Sequence, residues 1–463
     1  MTALLLCALA GALFEVSPGE SVQGALDQAS AGDTVLLLPG IHAGSGEHLA
    51  VITGQHDGVM LLGDPQSPSS VVLDGSGLDE CVLLVDGAAA GDVGQSTIVR
   101  GLTLSGGDSG ADPFGGGMRL NHASPTVDLC IFEECTAENG GGAYVWKGQP
   151  VFTGCIFDQC HCESAGGGLY LYDSDAQVSH CRFLDCHSND DGAGIYLYHS
   201  DAQMHGCLFA GGSAGDDAAA IYAYTFSFPD VGFCTFTGGS TGYGNAGAVY
   251  FRVECGGFIH DNIVADNQTT GFYGDGGASP EFSHNCVWNN QGSNYGNLPD
   301  PTGEDGNIEA DPLFTGDWHL SCTAAGQPQQ SPCIDAGSMG VVEAGLELYW
   351  TRTDSVFDTG TADMGYHHGP PPEWMGAEGP AAPASGALSA APCPTTGSLE
   401  LSCGGRTMQR VRILDMAGRV TYRSSGGSQL SIALPARLPS GVYLATAMVE
   451  GRRLAARVVL VRR

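Results

Sequence analysis

Residues 166–177 read GGGLYLYDSDAQ and residues 192–203 read GAGIYLYHSDAQ, the same phrase written twice, 26 residues apart. Working outward, small-residue triplets recur at Gly115–Gly117, Gly140–Gly142, Gly166–Gly168, Gly192–Gly194, Ala218–Ala220 and Ala246–Ala248, in steps of 25, 26, 26, 26 and 28 residues. Cysteine keeps the same beat at Cys130, Cys155, Cys181, Cys207 and Cys234. A phenylalanine always stands two residues later, at Phe132, Phe157, Phe183, Phe209 and Phe236. A repeat this regular marks stacked supersecondary units. Within each unit, short alternating segments such as LYLY and QVSHCRF are separated by Gly, Asp, Ser and Asn, and no window sustains a helical period. The pattern predicts coils of short parallel strands, with equivalent residues of successive coils in columns about 4.8 Å apart.

Column uniformity separates inside from outside. The positions three before each cysteine are Val127, Phe152, Val178, Met204 and Val231, whereas the residue between Cys and Phe varies as Ile131, Ile156, Arg182, Leu208 and Thr235. Cys and Phe are therefore expected to point inward. A second cysteine column, Cys135, Cys160 and Cys186, gives way to Gly212 and Gly239. Parallel Cβ vectors suit packing better than bridging, so these thiols are expected to be unpaired; Cys322 with Cys333 and Cys393 with Cys403 are the candidate disulfides. In the coil after each triplet, Ala143, Leu169, Ile195, Ile221 and Val249, then Val145, Leu171, Leu197, Ala223 and Phe251, are expected inside.

Alternation then turns two aromatic columns outward: Tyr144, Tyr170, Tyr196, Tyr222 and Tyr250, beside Trp146, Tyr172, Tyr198 and Tyr224. Such a lattice offers apolar ring faces and polar tips, the chemistry of a glycan-binding strip, and it equally suits rings that only stabilise one another across strands. Asp173 and His199 share a column next to the strip, as do Asp175 and Asp201. Stacked carboxylates repel unless one is protonated or a cation lies between, so these four residues are the candidate catalytic groups of a glycoside-cleaving site, and Asp175 and Asp201 are also candidate calcium ligands. The phrase SDAQ is at the same time an ordinary turn-forming segment. A further acidic turn column, Asp190, Asp191, Asp216 and Asp217, is compatible with calcium or with solvation alone. His161 and His187 each follow a cysteine, but zinc ligands there would have to converge from opposite sides of a strand.

Charge divides the chain. Of its 17 basic residues, 11 lie between Arg406 and Arg463, so residues 1–392, with 6 basic and 48 acidic side chains, carry about −42. That body would repel nucleic acid and anionic membranes. The opening MTALLLCALAGA has the apolar core of a secretory signal and an Ala-x-Ala site at Ala8–Ala10, without a basic n-region; Leu6 before Cys7 departs from a lipobox. Without Cys7 there are 16 cysteines, an even number suited to an oxidising compartment.

The segment VSPGESVQGALDQASAGDTVLLLPGIH resembles the opening cap and first coil of right-handed parallel β-helix proteins of the pectin-lyase-like fold. The units CIFEEC…GGGAY, CIFDQC…GGGLY and CRFLDC…GAGIY resemble polymorphic outer-membrane-protein repeats, with Cys where that family has Asn. The implied fold class is all-β: a right-handed parallel β-helix followed by a small C-terminal β-sandwich. The domain expectation is a signal at 1–13, the β-helix at 14–310, a closing segment at 311–368, a Pro/Ala/Gly linker at 369–392, and a basic sandwich at 393–463. The last part, with RVRILDMAGRVTYR and GVYLATAMV, resembles a type IX secretion sorting domain, although PCP at 392–394 replaces that family's Pro-Asn-Pro.

Functionally, the resemblance implies a secreted or bacterial cell-surface protein that binds polysaccharide or another surface, with secretion machinery as a partner of the C-terminal domain and no nucleic-acid partner. Lyases and hydrolases share the fold. However, Lys147 is the one lysine, and the Gly-His-Gly and Arg-x-Lys segments of polygalacturonase-like enzymes are missing, so catalysis is the minority expectation and a ligandless adhesin rod stands beside it.

Overall fold

The computed structural model describes residues 11–369 apart from 111–112 and 243–245, and, beyond them, the backbone of seven strands between Ser389 and Leu460. Cys7, Cys393 and Cys403 lie outside the described residues.

Each coil lays down one strand on each of three long parallel sheets. Met118–Asn121, Thr126–Asp128 and Ile131–Glu133 form one such set, and a fourth strand, Thr136–Asn139, joins a short sheet before the next coil begins at Ala143. The long sheets contain 11, 10 and 10 strands, the short one 5, and neighbours within each come from successive coils. Every described pairing in these four sheets is parallel. The fold is a parallel β-helix. Its N-terminal end is closed by the short helix Val22–Leu26, whose Ser21 hydroxyl accepts from the Gly24 amide. The apolar face of that helix, Val22, Ala25 and Leu26, is buried on the core and covers what would otherwise be an open sheet end.

The core follows the columns read from the sequence. Phe132, Phe157, Phe183, Phe209 and Phe236 stack with centroids 4.6, 4.7, 4.7 and 4.9 Å apart and ring planes within 9°. Leu169, Ile195, Leu171 and Leu197 are fully buried. The cysteine columns are also buried and unbridged. Their role is visible at the corners, where thiols donate to carbonyls of the preceding coil: Cys155 to Val127 and Cys160 to Phe132, each at 3.4 Å. Asparagine takes over the same columns in later coils: Asn262 Nδ2 donates to the Val231 carbonyl and Asn285 Nδ2 to the Ile259 carbonyl, at 2.9 and 2.8 Å. Cysteine is therefore the weaker donor in a ladder built to satisfy corner carbonyls. Burial raises the thiols of Cys130, Cys160 and Cys181 well above their ordinary range, so they stay protonated donors.

The Cys322–Cys333 bridge is not formed. The loop neck is closed instead by the Ser331 amide on the Ser321 carbonyl at 2.8 Å, and Cys333 packs in a cluster with Cys286. Within the expected closing segment, residues 349–368 pack back onto the β-helix: Gly365 donates its amide to the Asp261 carbonyl, and the Tyr366 amide reaches Thr235 Oγ1.

The triplets have a steric cause. Gly140 and Gly166 open their turns at φ of 69° and 75°. A methyl group on Gly141 would lie 2.1 Å from the His161 carbonyl oxygen and 2.6 Å from that of Gly167. Gly141→Ala is expected to cost at least about 3 kcal/mol, whereas Ala219→Gly, at the equivalent triplet position, should cost about 1 kcal/mol. Urea unfolding followed by circular dichroism checks this, and equal costs would mean that the coil relaxes around the methyl.

The C-terminal unit is built differently. Ser389–Ala391, Ser398–Ser402 and Gln429–Ala433 form one antiparallel sheet, and Val420–Gly427, Met408–Asp415, Gly441–Val449 and Arg452–Leu460 form another in that order.

Candidate functional site

The two aromatic columns occupy one long sheet, in register across the strands Ala143–Gly148, Leu169–Ser174, Ile195–Tyr198 and Ile221–Tyr224. They do not share one environment. Tyr144, Tyr196, Tyr222 and Tyr250 are buried at 8% exposure or less; the last three form a cluster of their own with Ala165 and Ala218, half-buried Tyr170 packs against it, and Tyr144 meets Tyr170 at 5.1 Å. The expectation of two exposed columns is thus corrected. Alternation fixes which side of the strand a residue takes, while cover depends on the neighbours across the corner. Tyr273, which the repeat alignment did not reach, extends this column, 5.1 Å from Tyr250. Burial pushes the Tyr144 phenol up to about 12 and the others higher, so all stay neutral donors, and the Tyr222 hydroxyl accepts from Arg252 Nη1 at 2.9 Å.

The second column is the open one. Trp146 is exposed, and Tyr172, Tyr198 and Tyr224 are half-buried. Tyr172 and Tyr198 stack face to face at 4.8 Å and 7°, which covers the faces that a sugar ring would need. At the ends the geometry opens: Tyr224 tilts 55° from Tyr198, and Trp146 meets His122 edge-on. Phe226 and Phe228 follow Tyr224 around the corner, and Phe258 stands on the adjoining sheet one coil later. These three are 56%, 48% and 43% exposed; with Trp146 at 38%, they are the exposed aromatic side chains among the described residues, all along one edge. The sequence signal for Phe226 and Phe228 was available in YTFSFP but fell outside the strict repeat.

The acidic candidates divide by role. Asp175 Oδ1 accepts the Asp201 amide at 3.0 Å, and Asp201 Oδ1 accepts the Phe228 amide at 2.8 Å, so both staple one coil's turn to the next. The exposed side chains of Asp173 and His199 lie 3.5 Å apart, Oδ1 to Nδ1, each residue at positive φ. Asp191 accepts the Asp217 amide, and burial, with the carboxylates of Asp217 and Asp216 adding to it, raises Asp191 to about 7. Asp190 and Asp216 are exposed. His161 and His187 stack at 5.1 Å, with His187 bonded to Ser213 and Asn189. Among the described residues, the convergence that could hold a metal lies elsewhere: Asp358, Asp363 and His367, all buried. His367 Nε2 meets Asp358 Oδ2 at 3.1 Å and Thr351 hydrogen-bonds Asp363, so side chains and backbone amides already engage the trio.

A parallel sheet solenoid with thiol and amide ladders at its corners defines the class: a right-handed β-helix. The family model for the right handed beta helix region matches residues 86–236. Among solved structures, a mutant of AlyGC, a PL6 family alginate lyase, is similar at 14% identity and a TM-score of 0.37, over 71% of this chain and 58% of that one. The chain thus spans little more than half the length of that lyase. The gp42 tailspike of an Acinetobacter phage is similar at 10% identity and a TM-score of 0.28, over 96% and 81% of the two chains. No curated protein matches the chain. No helix among the described residues is long and apolar enough to cross a membrane, which says nothing of β-barrels.

Proposed function

We propose that the chain is a secreted, cell-surface β-helix protein that binds polysaccharide through the aromatic edge formed by Trp146, Tyr172, Tyr198, Tyr224, Phe226 and Phe228. The single observation that carries the reading is the confinement of exposed aromatic side chains to this edge, where water contact disfavours them unless a ligand covers them. In this reading the buried Tyr144, Tyr196, Tyr222 and Tyr250, with half-buried Tyr170, support the platform rather than touch the ligand. The opening apolar stretch serves as a signal, and the basic C-terminal unit as a β-sandwich that engages the secretion machinery, joined by the linker at 369–392.

A structural rod is the second reading, favoured by the face-to-face stacking of Tyr172 and Tyr198. The combined change Trp146→Ala, Phe226→Ser, Phe228→Ser separates the two. Binding to glycan arrays, with and without calcium, is expected to weaken at least about tenfold with the melting temperature unchanged, in line with the loss of central aromatic anchors. A fall in melting temperature without any glycan binding by the parent protein supports the rod. Release of reducing sugar on a bound glycan, abolished in Asp173→Asn, would instead assign an enzyme using the Asp173–His199 pair.

A further inference from the structure

Beyond Phe228 the exposed edge runs onto the neighbouring sheet and into a groove that the repeat does not announce. A methyl on Gly256 would lie 3.3 Å from the Phe228 ring, so Phe228 borders the strand Gly256–His260 directly. On that sheet the outward column reads Asp230, Phe258, Glu281, paired one above another in successive coils. Phe258 thus stands between two carboxylates. Beside it lies a groove of about 510 Å³ with apolar walls from Phe258, Phe282, Pro280 and Pro301 and polar lining that includes the exposed acids Glu281 and Asp305. His284 lines it too, with Nδ1 bonded to Ser283 Oγ at 2.7 Å; no lysine or arginine does. The His260 ring stacks against Phe258 at 4.6 Å, and both of its nitrogens are committed, to Asp230 and Asp261.

We infer that this groove receives the protonated amino sugar of a cationic polysaccharide. The inference rests on the reading of the edge as a glycan-binding surface and names the class of glycan. An exposed aromatic face flanked by carboxylates attracts an ammonium group by cation–π and Coulomb terms, and the surrounding charge of about −42 over residues 1–392 favours the same sign of ligand. A polyuronate meets the opposite: carboxylates at the groove and no lysine or arginine to pair with its own. The size of the groove and its ring and proline walls suit a saccharide unit, and the prolines Pro280 and Pro301 lack the N–H donors that a strand-adding peptide would pair with.

The test uses the full chain and calorimetric titration with chitosan oligomers, the same oligomers fully N-acetylated, polygalacturonate, and an oligolysine peptide, at a pH where the free amine is charged. Chitosan oligomers are expected to bind at least about tenfold more tightly than the acetylated ones, with the preference eroded by salt. Glu281→Gln with Asp305→Asn should bring the two to parity, and Phe258→Ala should weaken both; circular dichroism verifies that each variant is folded. Equal binding of acetylated and free oligomers, or preference for polygalacturonate, overturns the cationic assignment and leaves the glycan-binding reading standing. Oligolysine binding as tight as chitosan replaces the sugar with a basic peptide. Binding of none of the four overturns both the assignment and the reading on which it rests.

Discussion

Replacing Phe183 with alanine is expected to lower the unfolding free energy by about 3–5 kcal/mol, the cost of removing a fully packed aromatic side chain from a core. The position is chosen because Phe183 is the middle rung of five: its ring lies 4.7 Å from both Phe157 and Phe209, at 1° and 4°. Truncation deletes two stacking contacts and leaves a hole. The backbone is poorly placed to fill it, since the inner wall there is Gly168, where a Cβ would stand 2.7 Å from the Phe183 ring. Coils touch only their neighbours, so stability in this architecture is close to a sum of coil terms and interfaces. Loss of the middle interface should therefore also split urea unfolding, monitored by circular dichroism, into two transitions. The terminal rung Phe236, whose partner on the far side is Val264, should lose less and unfold in one step. A cost under about 1 kcal/mol at Phe183 would show that the ring column is filler rather than frame.

A comparable loss, about 3–5 kcal/mol, is expected for Asp261→Ala, because it leaves a buried charge without its partner. Asp261 has no exposed surface. Its carboxylate receives His260 Nδ1 at 2.7 Å, the Ser338 amide at 2.6 Å and the Ser338 hydroxyl at 2.7 Å, which ties a coil of the β-helix to a loop 77 residues later. Burial alone would lower the His260 pKa. Its hydrogen bonds and charge pairing with Asp230 and Asp261 outweigh that, and raise it from 6.5 to about 9. A pKa raised on folding contributes stability that is complete below about 6.5 and fades as pH climbs through about 9. The parent protein should therefore lose stability between neutral pH and pH 9–10, and Asp261→Asn should flatten that slope. On the acid side, burial holds His205 down to about 4 and His368 to about 3. The unfolded chain takes up those protons first, so stability should also decline as pH falls from about 6.5 toward 4. Melting temperatures measured across pH 4–10 check both limbs; an alkaline limb unchanged in Asp261→Asn would assign the slope to other groups.

The coil period, the Phe and Cys columns and the inward positions of the aromatic sheet were all legible in the sequence, because a column repeats its own evidence at every step. The exposure of the tyrosines was not. Alternation states that Tyr196 leaves the main core, yet its cover comes from Ala165 and Ala218 in neighbouring coils, a relation that periodicity within one strand does not carry. The replacement of Cys by Asn at Asn262 and Asn285 was hidden by the change of side chain, although both satisfy the same carbonyl column. The groove at Phe258 and the Asp261–Ser338 tie were also missed. The first falls where the step has lengthened and the triplets end, and the second joins segments with no shared pattern. Of the acidic candidates, Asp175 and Asp201, proposed from the sequence as catalytic or calcium-binding groups and alternatively as turn-formers in the phrase SDAQ, bond the amides of the next coil.

The hydrogen-bonded corners make this rod divisible. A thiol or amide at each corner donates to the carbonyl one coil below, and each interior phenylalanine of the column stacks on the ring above and the ring beneath. Excising one whole unit, such as residues 167–192, would seat Phe209 on Phe157 and Cys207 on Cys155 with no other register disturbed. Gene duplication or deletion in whole units can then lengthen or shorten the solenoid by single steps, so its length is set by copy number rather than by the redesign of any contact.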